Sequence, residues 1–107
     1  MNEIGLPTAE EVIAAYRKTG LTPTTMRADA STGSCCAIGA IGAAAGLKLF
    51  EYPTLTQFAR QAGITGDVLK FALGFDGAGA SIIDNGDQAW RHGKLVRKAC
   101  TRVFGPF

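Results

Sequence analysis

Residues that start helices and glycines that stop them recur along this chain at short intervals, so no long element can form. Thr8-Ala9-Glu10-Glu11 is a capping box, in which Thr8 caps an amide while Glu11 reaches back. The helix it opens carries a short apolar stripe of Val12, Ile13 and Tyr16, then Arg17 and Lys18 where the helix dipole favours cations, and stops at Gly20. A second helix is expected from about Ser34 to Ala45 with Gly46 as its stop. Thr54-Leu55-Thr56-Gln57 is another capping box, opening a helix through Ala62 that ends at Gly63. Asp67 caps a fourth helix reaching about Leu73. Asp84 or Asp87 caps a final helix that runs to about Phe104 and stops at Gly105-Pro106. The pattern predicts a mainly all-α fold, a compact orthogonal bundle of four to five short helices.

The connections read differently. Residues 21–33 are rich in Thr, Pro and Ser and predict an extended link with one short strand near residues 24–27. Residues 74–87 are rich in Gly and Asp and predict a loop. Gly39, Gly42 and the run Ala43-Ala44-Ala45 leave the second helix almost without side-chain bulk. Glycine inside a helix costs about 1 kcal/mol relative to alanine, a cost accepted where another backbone must come close. That places the second helix at the centre of the bundle with the final helix packed across it. On the final helix Ala89, Gly93, Val96, Cys100 and Val103 recur at helical spacing and predict the buried stripe, with Arg91, Lys94, Lys98 and Arg102 opposite.

A chain of 107 residues fits a single domain over residues 1–107, and its 47% apolar content suffices for a core without disulfides or metal. No stretch reaches the run of about 18 apolar residues a membrane helix needs; residues 35–47 come nearest and are broken by glycines. The first residues lack the basic and apolar regions of a signal peptide, and three cysteines in that setting read as reduced thiols. A cytoplasmic location without a membrane partner is the expectation.

The formal charge of +2 conceals an asymmetry. Residues 1–87 hold six basic and nine acidic side chains, net −3, whereas residues 88–107 hold five basic side chains and no acid, net +5. A basic segment on a mildly acidic body suits an acidic partner or nucleic acid. Its candidate contact residues are Trp90, Arg91, Lys94, Arg97, Lys98 and Arg102, with the Trp90 ring as a stacking surface.

Residues 55–73 carry the most defined motif. Ala59 supplies a small residue in a first helix and Gly63 the turn glycine four positions on, while Phe58, Ala62, Ile64, Leu69 and Ala72 occupy apolar locking positions. Over about 20 of the 107 residues the stretch resembles the bacterial helix-turn-helix family. The resemblance implies DNA binding with Thr65, Asp67, Lys70 and Phe71 on the reading face of the second helix. That face opposes one carboxylate to one lysine and offers no Asn, Gln or Arg for bidentate base contacts, and a plain αα-hairpin with a glycine turn meets the same packing demands. The layout is also similar to that of small bacterial and phage-encoded helical proteins.

Catalytic sets are incomplete. Cys35 and Cys36, placed near a helix start, could have lowered pKa values from free amides and serve a small thiol enzyme. His92 is the single histidine, and Cys100, eight residues on, would lie about 12 Å away along a shared helix. There is no Cys-x-x-Cys or second histidine for zinc, neither aspartate-glycine stretch has EF-hand spacing, and the glycines match no phosphate loop or dinucleotide fingerprint. No cofactor and no metal is expected. Phe75 and Asp76, in Gly74-Phe75-Asp76-Gly77, are candidates for a recognition loop. The function expected is a non-catalytic binding or regulatory module working through protein or self-association contacts, with DNA binding and thiol catalysis as the alternatives.

Overall fold

The computed structural model describes residues 1–107. The elements run α1 (Ala9–Thr19), β1 (Thr22–Pro23), β2 (Ser34–Cys35), α2 (Ala37–Ala44), a 3₁₀ turn (Leu49–Glu51), α3 (Leu55–Gln61), α4 (Val68–Asp76) and α5 (Gln88–Phe104). Five short helices and one two-residue parallel strand pair make a small helical bundle, as the punctuation predicts. Thr8 and Glu11 form the full reciprocal capping box of α1, and Gly20 ends that helix at φ 75°. Thr54, Asp67 and Asp87 each cap the following helix through a side-chain oxygen.

The short strand lies earlier than expected. Thr22 and Pro23 pair in parallel with Ser34 and Cys35, and residues 24–27 are not a strand. Pro23 has no amide to extend the ladder, and Met26 at φ 61° turns the chain out of the extended region. The pairing also shortens α2. The carbonyl of Cys35 accepts from the Thr24 amide at 3.1 Å and from the Tyr16 hydroxyl at 2.7 Å, so Ser34 and Cys35 are extended and the helix begins at Ala37.

The fourth helix is longer than expected. It runs through Gly74 to Asp76 and stops at Gly77, which takes φ 73°, so Phe75 is a buried helical residue and not part of a loop. Gly74 stays helical because α5 crosses there. A Cβ on Gly74 would strike the carbonyl of Trp90, and one on Gly93 would strike the carbonyl of Phe71. The closest backbone crossing is therefore α4 on α5, with α1 packed beside both α2 and α5. The expected crossing of the final helix over α2 is replaced by this one. The missing side chains of α2 serve other neighbours: Gly39 makes room for the carbonyl of Ala28, and Gly42 for the Phe58 ring.

The core joins Leu6, Val12, Tyr16, Ile38, Phe58, Ile64, Phe71, Phe75, Val96 and Cys100. Ala89, Gly93, Val96 and Cys100 face it as their spacing predicts, whereas Val103 is 42% exposed and Phe104 instead packs edge-on against Tyr16.

Candidate functional site

Helix α5 is held at both ends and along its inner face. Asp87 caps it by accepting from the Trp90 amide at 3.0 Å, and the Gly74–Gly93 crossing fixes its middle. His92 Nε2 lies 2.7 Å from the Pro7 carbonyl oxygen and 3.2 Å from Asn2 Nδ2, which ties α5 to the N-terminal segment. The outer face is then determined by helical geometry. Arg91, Lys94, Lys98 and Arg102 are exposed there, and none has a carboxylate within ion-pair distance. Beside them Leu95 is 63% exposed.

Two members of the expected basic face are engaged elsewhere. Trp90 is 4% exposed, with its indole N–H donated to the Ala78 carbonyl at 2.9 Å, so its ring offers no stacking surface. It sits at the α4 crossing, and only Lys94 Nζ, 4.5 Å from the ring centroid, covers it from outside. Arg97 points inward, donating to the carbonyls of Phe75 at 3.0 Å and Phe107 at 2.6 Å. Helix periodicity places Arg97 one position from Val96 on the rim of the buried stripe, where its stem packs and its fork closes backbone acceptors.

The α3–α4 hairpin keeps the helix-turn-helix order but not its reading face. Phe71 is fully buried and stacks at 5.7 Å on His92, so it faces α5 and not solvent. Leu69, expected to lock the hairpin, is 56% exposed instead. The α5 crossing rotates α4 so that Phe71, Gly74 and Phe75 point inward. Lys70 is paired with Asp87 at 3.0 Å and with Asp67 at 3.8 Å. Asp67 caps α4, and the amides of Thr65 and Gly66 both donate to the Gly5 carbonyl, at 3.0 and 2.9 Å. The backbone of the turn is tied to the N-terminal segment, while the Thr65 and Asp67 side chains stay exposed.

The thiols are not assembled with a base. Cys35, Cys36 and Cys100 are buried, and burial pushes Cys35 up to about 12 and Cys100 up to about 11. Burial also raises Cys36, although it is the N-cap of α2; the amides of Gly39 and Ile38 pull the other way without forming a capping bond to the sulfur. His92 contacts Asn2, Pro7 and Phe71, and no hydrogen bond joins it to a thiol. No group of three or more His, Cys, Asp or Glu side chains is placed to hold a metal ion, and no helix is long and apolar enough to cross a membrane.

No protein-family model, curated protein or solved structure matches this chain.

One further surface escaped the sequence reading. Met26 and Phe50 are 80% and 83% exposed and stand over a groove of about 570 Å³ whose walls include Tyr52, Leu55, Ala72 and Asp76. Met26 is the one non-glycine residue with positive φ, and its amide donates to Asp76 Oδ1 at 2.8 Å. Asp76 is thus half-buried at the end of α4, not in a recognition loop, and burial raises its pKa against the lowering influence of the Met26 amide and Arg97. Hydrophobic patterning cannot reveal such a site, because it depends on two connectors meeting beside α4.

Proposed function

We propose that this chain is a non-catalytic binding module that docks an acidic protein surface through the outer face of α5. The observation that supports it is the stripe of Arg91, Lys94, Lys98 and Arg102, without carboxylate partners, with the exposed Leu95 along its edge. Lys94, Lys98 and Arg102 follow one another at i, i+4, where like charges destabilise a helix by a few tenths of a kcal/mol per pair. A face serving solubility alone is better built from mixed signs. Unpaired cations speed encounter with an opposite charge, and an exposed apolar side chain beside them can serve as an interface anchor. Leu95 has no corresponding task against a phosphate backbone, which favours a protein over nucleic acid as the partner. Raised thiol pKa values and the engagement of His92 with Pro7 also support a non-catalytic role.

The test is fluorescence anisotropy with an acidic amphipathic peptide rich in Leu and Glu, beside a mixed-sequence DNA duplex, at low and moderate salt. The peptide is expected to bind in a salt-sensitive way, and charge reversal to Glu at Arg91, Lys94, Lys98 and Arg102 to abolish binding. Leu95→Ala is expected to weaken it by roughly five- to tenfold, the equivalent of about 1 to 1.4 kcal/mol of lost burial. Binding of the duplex in preference to the peptide, with no effect of Leu95→Ala, would overturn the proposal in favour of a nucleic-acid face.

A further inference from the structure

The groove under Met26 and Phe50 lies apart from the α5 face, and its composition is specific. Its walls are apolar and aromatic, with the Phe50 and Tyr52 rings, Met26, Leu55 and Ala72, and Asp76 is its one carboxylate. A volume of about 570 Å³ lies within the range of small-molecule sites. We infer that this groove is a binding site for a small organic ammonium ion, whose charge meets Asp76 and whose apolar body lies between Phe50, Tyr52 and Met26.

Three observations converge on that class of ligand. The first is the state of the carboxylate. Asp76 Oδ1 accepts the Met26 amide, but Oδ2 has no hydrogen-bond donor and Asp76 has no ion-pair partner. Arg97 lowers the Asp76 pKa from a distance but donates its hydrogen bonds to the carbonyls of Phe75 and Phe107. Oδ2 is open to solvent, since no buried side-chain oxygen lacks a partner, and it is free to accept from a bound ammonium.

The second is the aromatic lining. Rings attract cations through their negative faces, most strongly where water is partly excluded, and an ammonium with apolar substituents satisfies both the rings and the carboxylate. An anion would meet Asp76 unfavourably. Arg27 also lines the groove; it is exposed, and its Nη1 donates to Thr32 Oγ1 at 2.8 Å.

The third is the backbone at Met26. A non-glycine residue in the left-handed region costs roughly 1–2 kcal/mol. Here the Met26 amide donates to Asp76 Oδ1, which offsets part of that cost, and the thioether is left 80% exposed beside the groove. The flexible thioether can close on a ligand body of irregular shape. Asp76 thus holds the Met26 turn through one oxygen, and it lines the groove with its other oxygen unpartnered.

The test is a two-dimensional amide NMR titration with phenethylammonium chloride, beside its neutral counterpart 2-phenylethanol. The ammonium is expected to shift the Met26 and Tyr52 amides saturably, with a Kd on the order of 1 mM for so small a probe. It should bind about tenfold more tightly than the alcohol, the factor that a charge-assisted hydrogen bond supplies. Asp76→Asn keeps an acceptor for the Met26 amide while removing the charge, and is expected to abolish that preference with the rest of the spectrum unchanged. Phe50→Ala, at an exposed position that leaves the fold intact, is expected to weaken both probes. Equal binding of the two probes by the unaltered chain, absence of a saturable shift, or an unchanged preference in Asp76→Asn would each overturn the inference.

Discussion

Replacing Gly93 by alanine tests the helix crossing on which both the α5 face and the core depend. In an unobstructed helix interior the change would stabilise by about 1 kcal/mol, because alanine has the better propensity. At this position the new Cβ would enter the space of the Phe71 carbonyl and come within 2.8 Å of the Phe75 amide nitrogen. Both obstacles are backbone, so no rotamer change relieves the clash. The two helices must separate, which loosens Phe71, Phe75 and Val96, each fully buried between them and the rest of the core. Overpacking of this kind costs about 1–3 kcal/mol, and rigid neighbours on both sides place it near the upper end. After the propensity gain is subtracted, a net loss of about 2 kcal/mol remains, or a Tm lower by roughly 8–16 °C for a domain of this size. Urea unfolding followed by the fluorescence of buried Trp90 measures the change directly. Gly86→Ala is the control, since a Cβ there meets only ordinary contacts near the Asp84 carboxylate, the nearest at 3.5 Å. A Gly93→Ala variant as stable as the unaltered chain, or more so, would refute the crossing and the rotation of α4 that buries Phe71.

Two further outcomes follow from charge and burial. The Asp87 pKa is lowered first by the Trp90 amide it caps and then by Lys70, so its stabilisation is present above the carboxyl's unfolded pKa and lost as the pH falls through its folded one. Asp87→Asn keeps a capping oxygen but no titrating charge; urea midpoints taken at about pH 7 and about pH 3 should fall less in Asp87→Asn than in the unaltered chain, and equal falls would contradict the assignment. The burial that raises all three thiols predicts slow alkylation of Cys35, Cys36 and Cys100 at neutral pH, becoming fast only in denaturant. Rapid iodoacetamide labelling of Cys36 in the folded protein would instead revive a thiol mechanism.

Helix starts and stops were legible because capping is local. Thr8 and Glu11 meet within one turn, and Gly20 needs only its own backbone to adopt the left-handed conformation. The same locality explains the α5 stripe, in which a spacing of 3 or 4 residues brings Ala89, Gly93, Val96 and Cys100 to one face. The errors arose wherever a residue's role depended on a distant partner. Gly74 resembled a stop and is instead a helical residue whose missing Cβ admits the carbonyl of Trp90. Phe71 resembled a member of an exposed reading face until the crossing of α5 turned it inward onto His92.

The α5 face and the groove differ in the same way. Four of the six residues expected on the basic face are exposed because a capped amphipathic helix presents its polar side to solvent wherever it docks. Trp90 and Arg97 were misplaced because their polar atoms found buried carbonyl partners that lie 12 and 22 residues away in sequence. The groove involves residues from Met26 to Asp76, and its defining bond joins two residues 50 positions apart. Local backbone chemistry, written in the order of amino acids, determined the helices and the polarity of α5. Closure of distant segments decided which glycines are crossings, which aromatics are core and where the Asp76 carboxylate lines a groove, because those contacts exist only once the helices have packed.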